Sequence, residues 1–261
     1  MNNYFQQQQP RFSAFPPVVK NLLIANILAF IATYVLQSQG YDLVEHFGLH
    51  YFESPTFKIY QLVTCMFLHG GFMHIALNMY GLWLFGQMIE NYYGSKRFLI
   101  FYAICGLGAG IIQEASLYVY YHHVQQVLET FNSEPSIPGF GVVVAKYFTG
   151  ITGYIQPQTV DEAKSVLAGL YQFSMDHSNT IGASGAIFGV LVAFGMIYPE
   201  VQLFLMFIPI PIKAKYAITG YIVIELYSGF ANSAGDNVAH FAHLGGALFG
   251  ALMVLYWRKR G

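Results

Sequence analysis

Six apolar stretches of the sequence each have about the length needed to cross a lipid bilayer. A membrane-spanning helix takes about 20 residues, with a range of about 17–25. The six candidate helices cover residues 18–37, 62–89, 98–117, 181–198, 214–230 and 238–257. Only 10% of the residues are charged, against about 25% in soluble domains. The pattern predicts an all-α membrane protein built as a six-transmembrane-helix bundle.

The segments at the two ends of the chain are polar. Residues 1–17 are rich in Gln and Pro and lack the apolar core of a signal peptide, which predicts a disordered cytosolic tail. The membrane domain is expected to cover residues 18–257, and residues 258–261 form a short basic cytosolic tail. Residues 201–212 are too few to cross and contain two helix-breaking prolines, so they are expected to lie at the membrane interface.

Residues 118–178 form a long insertion between the third and fourth spans. A structureless loop of that length is uncommon. We expect the third helix to continue outward, a Gly- and Pro-rich turn between residues 133 and 153, and a helix with Thr159 as its N-cap. This last helix is amphipathic and is predicted to lie on the bilayer as an outer cap. Its apolar face carries Val166, Leu167, Leu170 and Phe173.

The positions of lysine and arginine predict the orientation. With the amino terminus in the cytosol, nine of them fall on the inner side: Arg11, Lys20, Lys96, Arg97, Lys213, Lys215, Arg258, Lys259 and Arg260. Only three fall outside: Lys58, Lys146 and Lys164. Because cytoplasmic segments carry an excess of basic residues, we expect a multi-pass protein of the cell membrane (plasma or inner) with both termini in the cytosol. The net charge of −1 excludes nucleic-acid binding driven by overall charge.

Polar residues in three of the spans are predicted to lie at a similar depth, near the outer face. Ser184 opens the fourth span, His74 and Asn78 lie early in the second, and His243 lies in the first turns of the sixth. All three spans run from outside to inside. A nucleophile, a base and polar donors would then meet where water is scarce. This combination indicates peptide-bond hydrolysis inside a membrane.

Ser184 and His243 each have a structural alternative. A serine at a helix start lies beside backbone N–H groups that can stabilise an oxyanion, but a small residue also lets helices pack closely. A histidine in a span is functional by default, although it can pair structurally. His240 is a competing base, and Gly246-x-x-x-Gly250 favours His243 because it would bring the sixth span against the fourth.

His74 and Asn78 are four residues apart and therefore share a helix face. They can bind a developing oxyanion or hold helices together. His69 is expected to brace the loop 38–70 by hydrogen bonding, and the remaining histidines are expected in solvated or interfacial loops: His46, His50, His122, His123 and His177. Cys65 and Cys105 are expected to be free buried thiols. Metal-ligand spacing such as His-Glu-x-x-His is absent from the sequence, so no metal or cofactor is expected.

Taken together, these motifs resemble the rhomboid family of intramembrane serine proteases. The resemblance covers residues 58–117 and 181–257 and rests on three motifs in the family's order: His69-x4-His74-x3-Asn78, Gly182-Ala183-Ser184-Gly185, and Ala242-His243 with the glycines that follow. It implies a Ser184–His243 dyad in a six-helix bundle. His74, Asn78 and the Ser184 N–H would form the oxyanion hole. The implied substrate is a transmembrane segment of another protein, cut near the outer face, without a metal or organic cofactor.

The chain departs from the family pattern in three places. Tyr60-Gln61 stands where the family usually has Trp-Arg, Phe188 stands where it often has Tyr, and the insertion 118–178 is unusually long. The alternatives come from other classes. A non-catalytic relative that binds or escorts client helices would share the bundle. A histidine-lined transporter or haem carrier would use His69, His74 and His240, but acids within the spans are scarce, with Glu225 and Glu114 as candidates.

Overall fold

The computed structural model describes residues 12–148, 156–205, 208–231 and 238–259. Its helices are α1 (Pro17–Gln37), α2 (Leu43–Phe47), α3 (Gln61–Thr64), α4 (Phe72–Gly81), α5 (Gln87–Tyr93), α6 (Ser95–Ser133), α7 (Ile137–Tyr147), α8 (Val160–His177), α9 (Ser184–Ile197), α10 (Ala214–Ala231) and α11 (His240–Arg258). A 3₁₀ turn (Cys65–Phe67) follows α3, and a π-helical turn (Leu82–Gly86) joins α4 to α5. Two antiparallel pairs complete the fold: β1 (Leu49–His50) with β2 (Asn179–Thr180), and β3 (Gln202–Leu205) with β4 (Ile208–Lys213).

Within the described residues, three helices are long and apolar enough to cross a membrane: α1, α6 and α11. The segments Gln61–Phe67 and Phe72–Tyr93 make a fourth candidate, bent by 95° at the break between them. The prediction of one continuous span over 62–89 was therefore wrong. The break falls at Gly70-Gly71, where the extended backbone of Gly71 precedes the first turn of α4. The protein is thus a mostly helical, multi-pass membrane protein, and six spans remain a prediction.

Helix α9 lies at the centre of the larger core, packed against α6 and α11. It contacts α11 backbone to backbone, because glycines face each other at two levels. A Cβ on Gly246 would lie 1.7 Å from the carbonyl oxygen of Gly185, and one on Gly250 would lie 2.6 Å from the Cα of Gly189. The predicted close approach of Gly246-x-x-x-Gly250 to the fourth span is confirmed. Glycine lets two helices approach this closely because no side chain separates their backbones.

A buried carboxylate fixes the start of α1. Glu90 of α5 accepts hydrogen bonds from the N–H groups of Val18 (3.0 Å) and Val19 (2.7 Å), which satisfies two donors that a helix start leaves unpaired. Just before α1, Ser13 exchanges two hydrogen bonds with Asn91. The predicted disordered tail therefore does not extend to residues 12–16, whereas residues 1–11 lie outside the described residues. At the other end, Arg258 belongs to α11 and donates to the carbonyl of Met196, and residues 260–261 are not described.

The insertion has a hydrophobic core of its own. Helix α6 runs to Ser133, so the predicted outward continuation of the third helix is confirmed, and the capping box at Thr159 confirms the start of α8. The Gly- and Pro-rich turn predicted between residues 133 and 153 was wrong, because helix α7 occupies Ile137–Tyr147. Pro138 lies in the first turn of α7, where its missing N–H costs nothing. Residues 149–155 lie outside the described residues.

The apolar face of α8 packs inside this small bundle. Leu167 and Leu170 are buried with residues of α6 and α7, so this part of the face predicted to lie on the bilayer contacts protein. Phe173 does not share the buried face. It is exposed and stacks on His177, with ring centroids 3.9 Å apart.

A β-hairpin links α9 to α10 where the interfacial segment was predicted. The N–H of Ala214 donates to the carbonyl of Val201 (2.8 Å). Hydrogen bonds from Lys213 and Lys215 lower the pKa of the Glu200 carboxyl to about 2. The first residues of α10 are therefore tied to the hairpin by both backbone and charge.

Candidate active site

Ser184 and His243 meet between α9 and α11. Ser184 is the first residue of α9, and its Oγ lies 2.8 Å from Nε2 of His243 in the first turn of α11. Both positions follow from the glycine contacts, because the two helices could not approach this closely with side chains between them. A hydroxyl within hydrogen-bonding distance of an imidazole nitrogen can pass its proton to that nitrogen and become a nucleophile.

The ring of His243 is held on two sides. It stacks on Phe188, one turn after Ser184 on α9, with centroids 4.2 Å apart and planes inclined by 9°. Phe188 thus supplies an aromatic face against the imidazole. On the edge away from Ser184, Nδ1 of His243 lies 2.9 Å from Oε2 of Glu225 on α10. The imidazole is buried, with 8% of its residue surface exposed.

The same Glu225 oxygen also contacts the competing histidine. Nδ1 of His240 lies 2.6 Å from Oε2 of Glu225. Glu225, His240 and His243 each offer one potential metal-ligand atom, and these three atoms all lie within 4.8 Å of one another, a spacing that can hold a metal ion. No motif in the sequence predicts this cluster, because Glu225 lies on α10 and the two histidines lie on α11. The one indication in the sequence is Glu225 itself, because an acidic residue in an apolar span is energetically costly and usually has a function.

His74 lies next to Gly182, two residues before Ser184. The N–H of Gly70 donates to Nδ1 of His74 (3.3 Å), so a neutral ring carries its proton on Nε2. A Cβ on Gly182 would lie 2.8 Å from this Nε2 and 3.6 Å from Ser184 Oγ. The backbone of Gly182, with φ of 126°, is in the region that favours glycine. A side chain at position 182 would therefore collide with the His74 ring beside the serine hydroxyl, and glycine avoids that collision.

Asn78 is buried one turn below His74. Its Nδ2 donates to the backbone carbonyl of His74 (2.8 Å). This bond uses one of the two hydrogens on the amide nitrogen. The structure thus brings Ser184, His243 and His74 to one place, and it places Asn78 on the same face of α4 as His74.

Two other histidines differ from their predicted surroundings. Both ring nitrogens of His69 are buried without a hydrogen-bond partner among the described residues, so His69 does not brace the loop 38–70 as predicted. Gln61 does so instead: its side chain accepts from the N–H of Lys58 (3.0 Å) and donates to carbonyls of the loop. His50 was predicted in a solvated or interfacial loop, but it is buried and bonds the carbonyls of Glu45 and Asp176. Both cysteines are free and buried, as predicted.

The fold and this site define a multi-pass membrane protein in which glycine-packed helices bring a serine hydroxyl to a histidine. A sequence profile of the Rhomboid domain matches residues 56–155 and 163–260. The chain belongs to the rhomboid family.

Named relatives match nearly the whole chain. "Rhomboid-like protein 16, chloroplastic" of Arabidopsis thaliana is 26% identical over 243 residues, covering 93% of this chain and 62% of the relative. The human "Presenilin-associated rhomboid-like protein, mitochondrial" is 28% identical over 255 residues, covering 93% and 50%. "Rhomboid protein 1, mitochondrial" of Saccharomyces cerevisiae is 23% identical over 263 residues, covering 98% and 59%. The chain thus spans half to about three fifths of the length of these relatives.

Proposed function

We propose that this protein is an intramembrane serine endopeptidase that cuts transmembrane segments of other membrane proteins near the outer membrane face. The observation that carries the proposal is the 2.8 Å contact between Ser184 Oγ and His243 Nε2 at the start of an apolar helix. A relative that only binds or escorts client helices would share the fold without needing this contact. Ser184 and His243 are the proposed catalytic residues.

In the proposed reaction, the Ser184 hydroxyl attacks the carbonyl carbon of the scissile peptide bond while its proton passes to His243 Nε2. The carbonyl oxygen takes up the negative charge. Collapse of this intermediate breaks the C–N bond, and His243 Nε2 returns the proton to the leaving amine. Water then attacks the acyl-serine by the same route. None of these steps calls for a metal or an organic cofactor.

The length of α9 supports a site below the membrane surface. Its 14 residues make a helix about 21 Å long, which is shorter than the roughly 30 Å hydrocarbon layer. Ser184 at its outer end would then lie within the layer, preceded by non-helical backbone. Such backbone is tolerated at membrane depth where protein buries it or where it lines a water-filled cavity, and hydrolysis needs that water.

We further propose six spans, α9 and α10 among them, with both termini on the side that carries most of the lysine and arginine. The names of the relatives refer to mitochondria and chloroplasts. Those names favour an organellar membrane over the plasma or inner membrane predicted from the sequence. Fractionation of the tagged chain decides between these membranes, and protease protection of tags at the two ends tests the orientation.

The proposed function is tested by covalent labelling with a fluorophosphonate, which reacts with serines activated by a neighbouring base. The purified protein in detergent should be labelled, and mass spectrometry should find the adduct on Ser184. Heat-denatured protein serves as the control and should not react. A folded protein that cleaves no transmembrane substrate and takes up no label would favour the non-catalytic alternative.

His74 and Asn78 are the proposed side-chain donors to the oxyanion, together with the Ser184 N–H. Losing one such donor costs on the order of 10²–10³ in kcat. His74→Ala and Asn78→Ala should each slow turnover by about that factor while KM and the melting temperature change little. His122→Ala, which removes an exposed histidine of the insertion, is the matched control. If either variant unfolds yet keeps full activity per folded molecule, that residue holds helices together instead.

A further inference from the structure

Glu225 is a carboxylate inside the helical bundle, on α10, with only 4% of its residue surface exposed. A buried acid in a membrane is expensive and needs partners. Oε2 of Glu225 has two, the Nδ1 atoms of His243 at 2.9 Å and of His240 at 2.6 Å. The proposed mechanism above uses Ser184 and His243 and leaves this carboxylate without a role.

These contacts determine which nitrogen of His243 carries the proton. A carboxylate oxygen only accepts hydrogen bonds, so each imidazole must donate from Nδ1. In a neutral His243 ring the lone pair is then on Nε2, which is the atom 2.8 Å from Ser184 Oγ. This is the tautomer that can take the serine proton. In the other tautomer, Nε2 would carry a hydrogen and could not act as the base.

We propose that Glu225 is a positioning residue that completes a Ser184–His243–Glu225 triad across α9, α11 and α10. This inference rests on the proposed protease function. When the Ser184 proton reaches His243 Nε2, the imidazolium keeps its Nδ1 proton, and the carboxylate stabilises the new positive charge without accepting the proton. Glu225 therefore contacts neither substrate nor the reacting bond and acts through His243.

Because Glu225 lies on α10, the position of that helix determines whether the carboxylate contacts the proposed base, His243. Hydrogen bonds and an ion pair tie the first residues of α10 to the hairpin region. Along α10, few side chains are buried: Ala214, Ile218 and Glu225. Tyr221, one turn before Glu225, contacts Phe188, the ring that stacks on His243 (centroids 4.9 Å apart). A displacement of α10 would remove the carboxylate from His243 and would remove Tyr221 from Phe188, the ring on which His243 stacks.

The decisive variant is Glu225→Gln, which keeps the shape and an acceptor oxygen but removes the charge. We expect kcat to fall about 10- to 100-fold, the loss of one charge-assisted hydrogen bond to the imidazolium. KM should be unchanged, since Glu225 does not contact substrate. Glu225→Asp, which retains the carboxylate, should recover part of the rate. The rate constant for fluorophosphonate labelling should follow kcat in all three proteins.

Glu114→Gln is the matched control, because Glu114 is another buried acid of a predicted span. Within the described residues, its only hydrogen bond is the one that Oε2 accepts from the Phe52 N–H (2.8 Å). The variant should keep wild-type kcat. Nitrogen-15 NMR of histidine-labelled protein adds a direct readout: His243 should carry its proton on Nδ1 in the wild type and should distribute between tautomers in Glu225→Gln.

Wild-type kcat and labelling in Glu225→Gln would overturn the proposed role of Glu225 while leaving the protease function intact. Equal losses in Glu225→Gln and Glu225→Asp, with lowered melting temperatures and an unchanged His243 tautomer in both, would make Glu225 a structural bridge. Inactivation by EDTA with recovery on adding Zn²⁺ would also overturn it, because the three side chains would then be metal ligands. A wild type that neither labels nor cleaves would instead refute the proposed function.

Discussion

His243→Ala should abolish cleavage of a transmembrane substrate to the same level as Ser184→Ala, with each variant losing on the order of 10³-fold or more in kcat. The serine hydroxyl is a weak nucleophile unless a base takes its proton, and Nε2 of His243 lies 2.8 Å away. The double variant should be no slower than either single one, because residues that act as one unit give non-additive losses. Cleavage is measured with a tagged substrate in detergent and again in liposomes.

His240→Ala is the control for this prediction. His240 is three residues earlier on α11 and contacts Glu225, so its loss removes a neighbouring histidine without removing the Ser184–His243 contact. It should retain measurable turnover. If instead His240→Ala is inactive and His243→Ala is active, the base is His240. Full cleavage by Ser184→Ala would refute the protease function altogether.

Local sequence patterns predicted most helix positions, because the thickness of the bilayer sets how many consecutive apolar residues a membrane-spanning helix needs. The boundaries of α1, α9, α10 and α11 lie within about three residues of those predicted. Apolar content did not reveal the break before α4, since Gly70-Gly71 interrupts the helix without interrupting hydrophobicity. It also did not reveal α7, whose Gly and Pro were read as a turn although a proline suits the first turn of a helix.

For the candidate site too, local sequence patterns predicted some contacts, whereas other contacts depend on how distant helices pack. Ser184, His243 and His74 were predicted to meet because each lies near the outer end of an inward-running span, and glycine spacing named the helices that touch. Glu225 was not predicted as a partner of His243, because its contact depends on how α10 rotates against α11. His69 shows the reverse error: its motif suggested a hydrogen-bonding role, but packing buries both ring nitrogens without a partner among the described residues.

Gly246→Ala should cost both stability and activity, because the added methyl has no space. A Cβ at this position would lie 1.7 Å from the carbonyl oxygen of Gly185, and that oxygen belongs to the backbone and cannot rotate away. The helices α9 and α11 must separate, which lowers the free energy of unfolding by about 1–3 kcal/mol. The separation also moves His243 from Ser184, and a misplacement of about 1 Å can cost on the order of 10² in rate.

Gly220→Ala is the matched control, because a Cβ at this position of α10 would lie within 4 Å of no atom of a neighbouring element in the described part of the chain. It should leave cleavage intact and leave the melting temperature unchanged or slightly higher, since alanine favours helix more than glycine does. Thermal unfolding in detergent and cleavage by the fraction that remains folded separate the two effects of Gly246→Ala. A Gly246→Ala protein that is folded, stable and fully active would mean that α9 and α11 do not touch as described. The 2.8 Å contact between Ser184 and His243 would then lose its structural basis, because it depends on that approach.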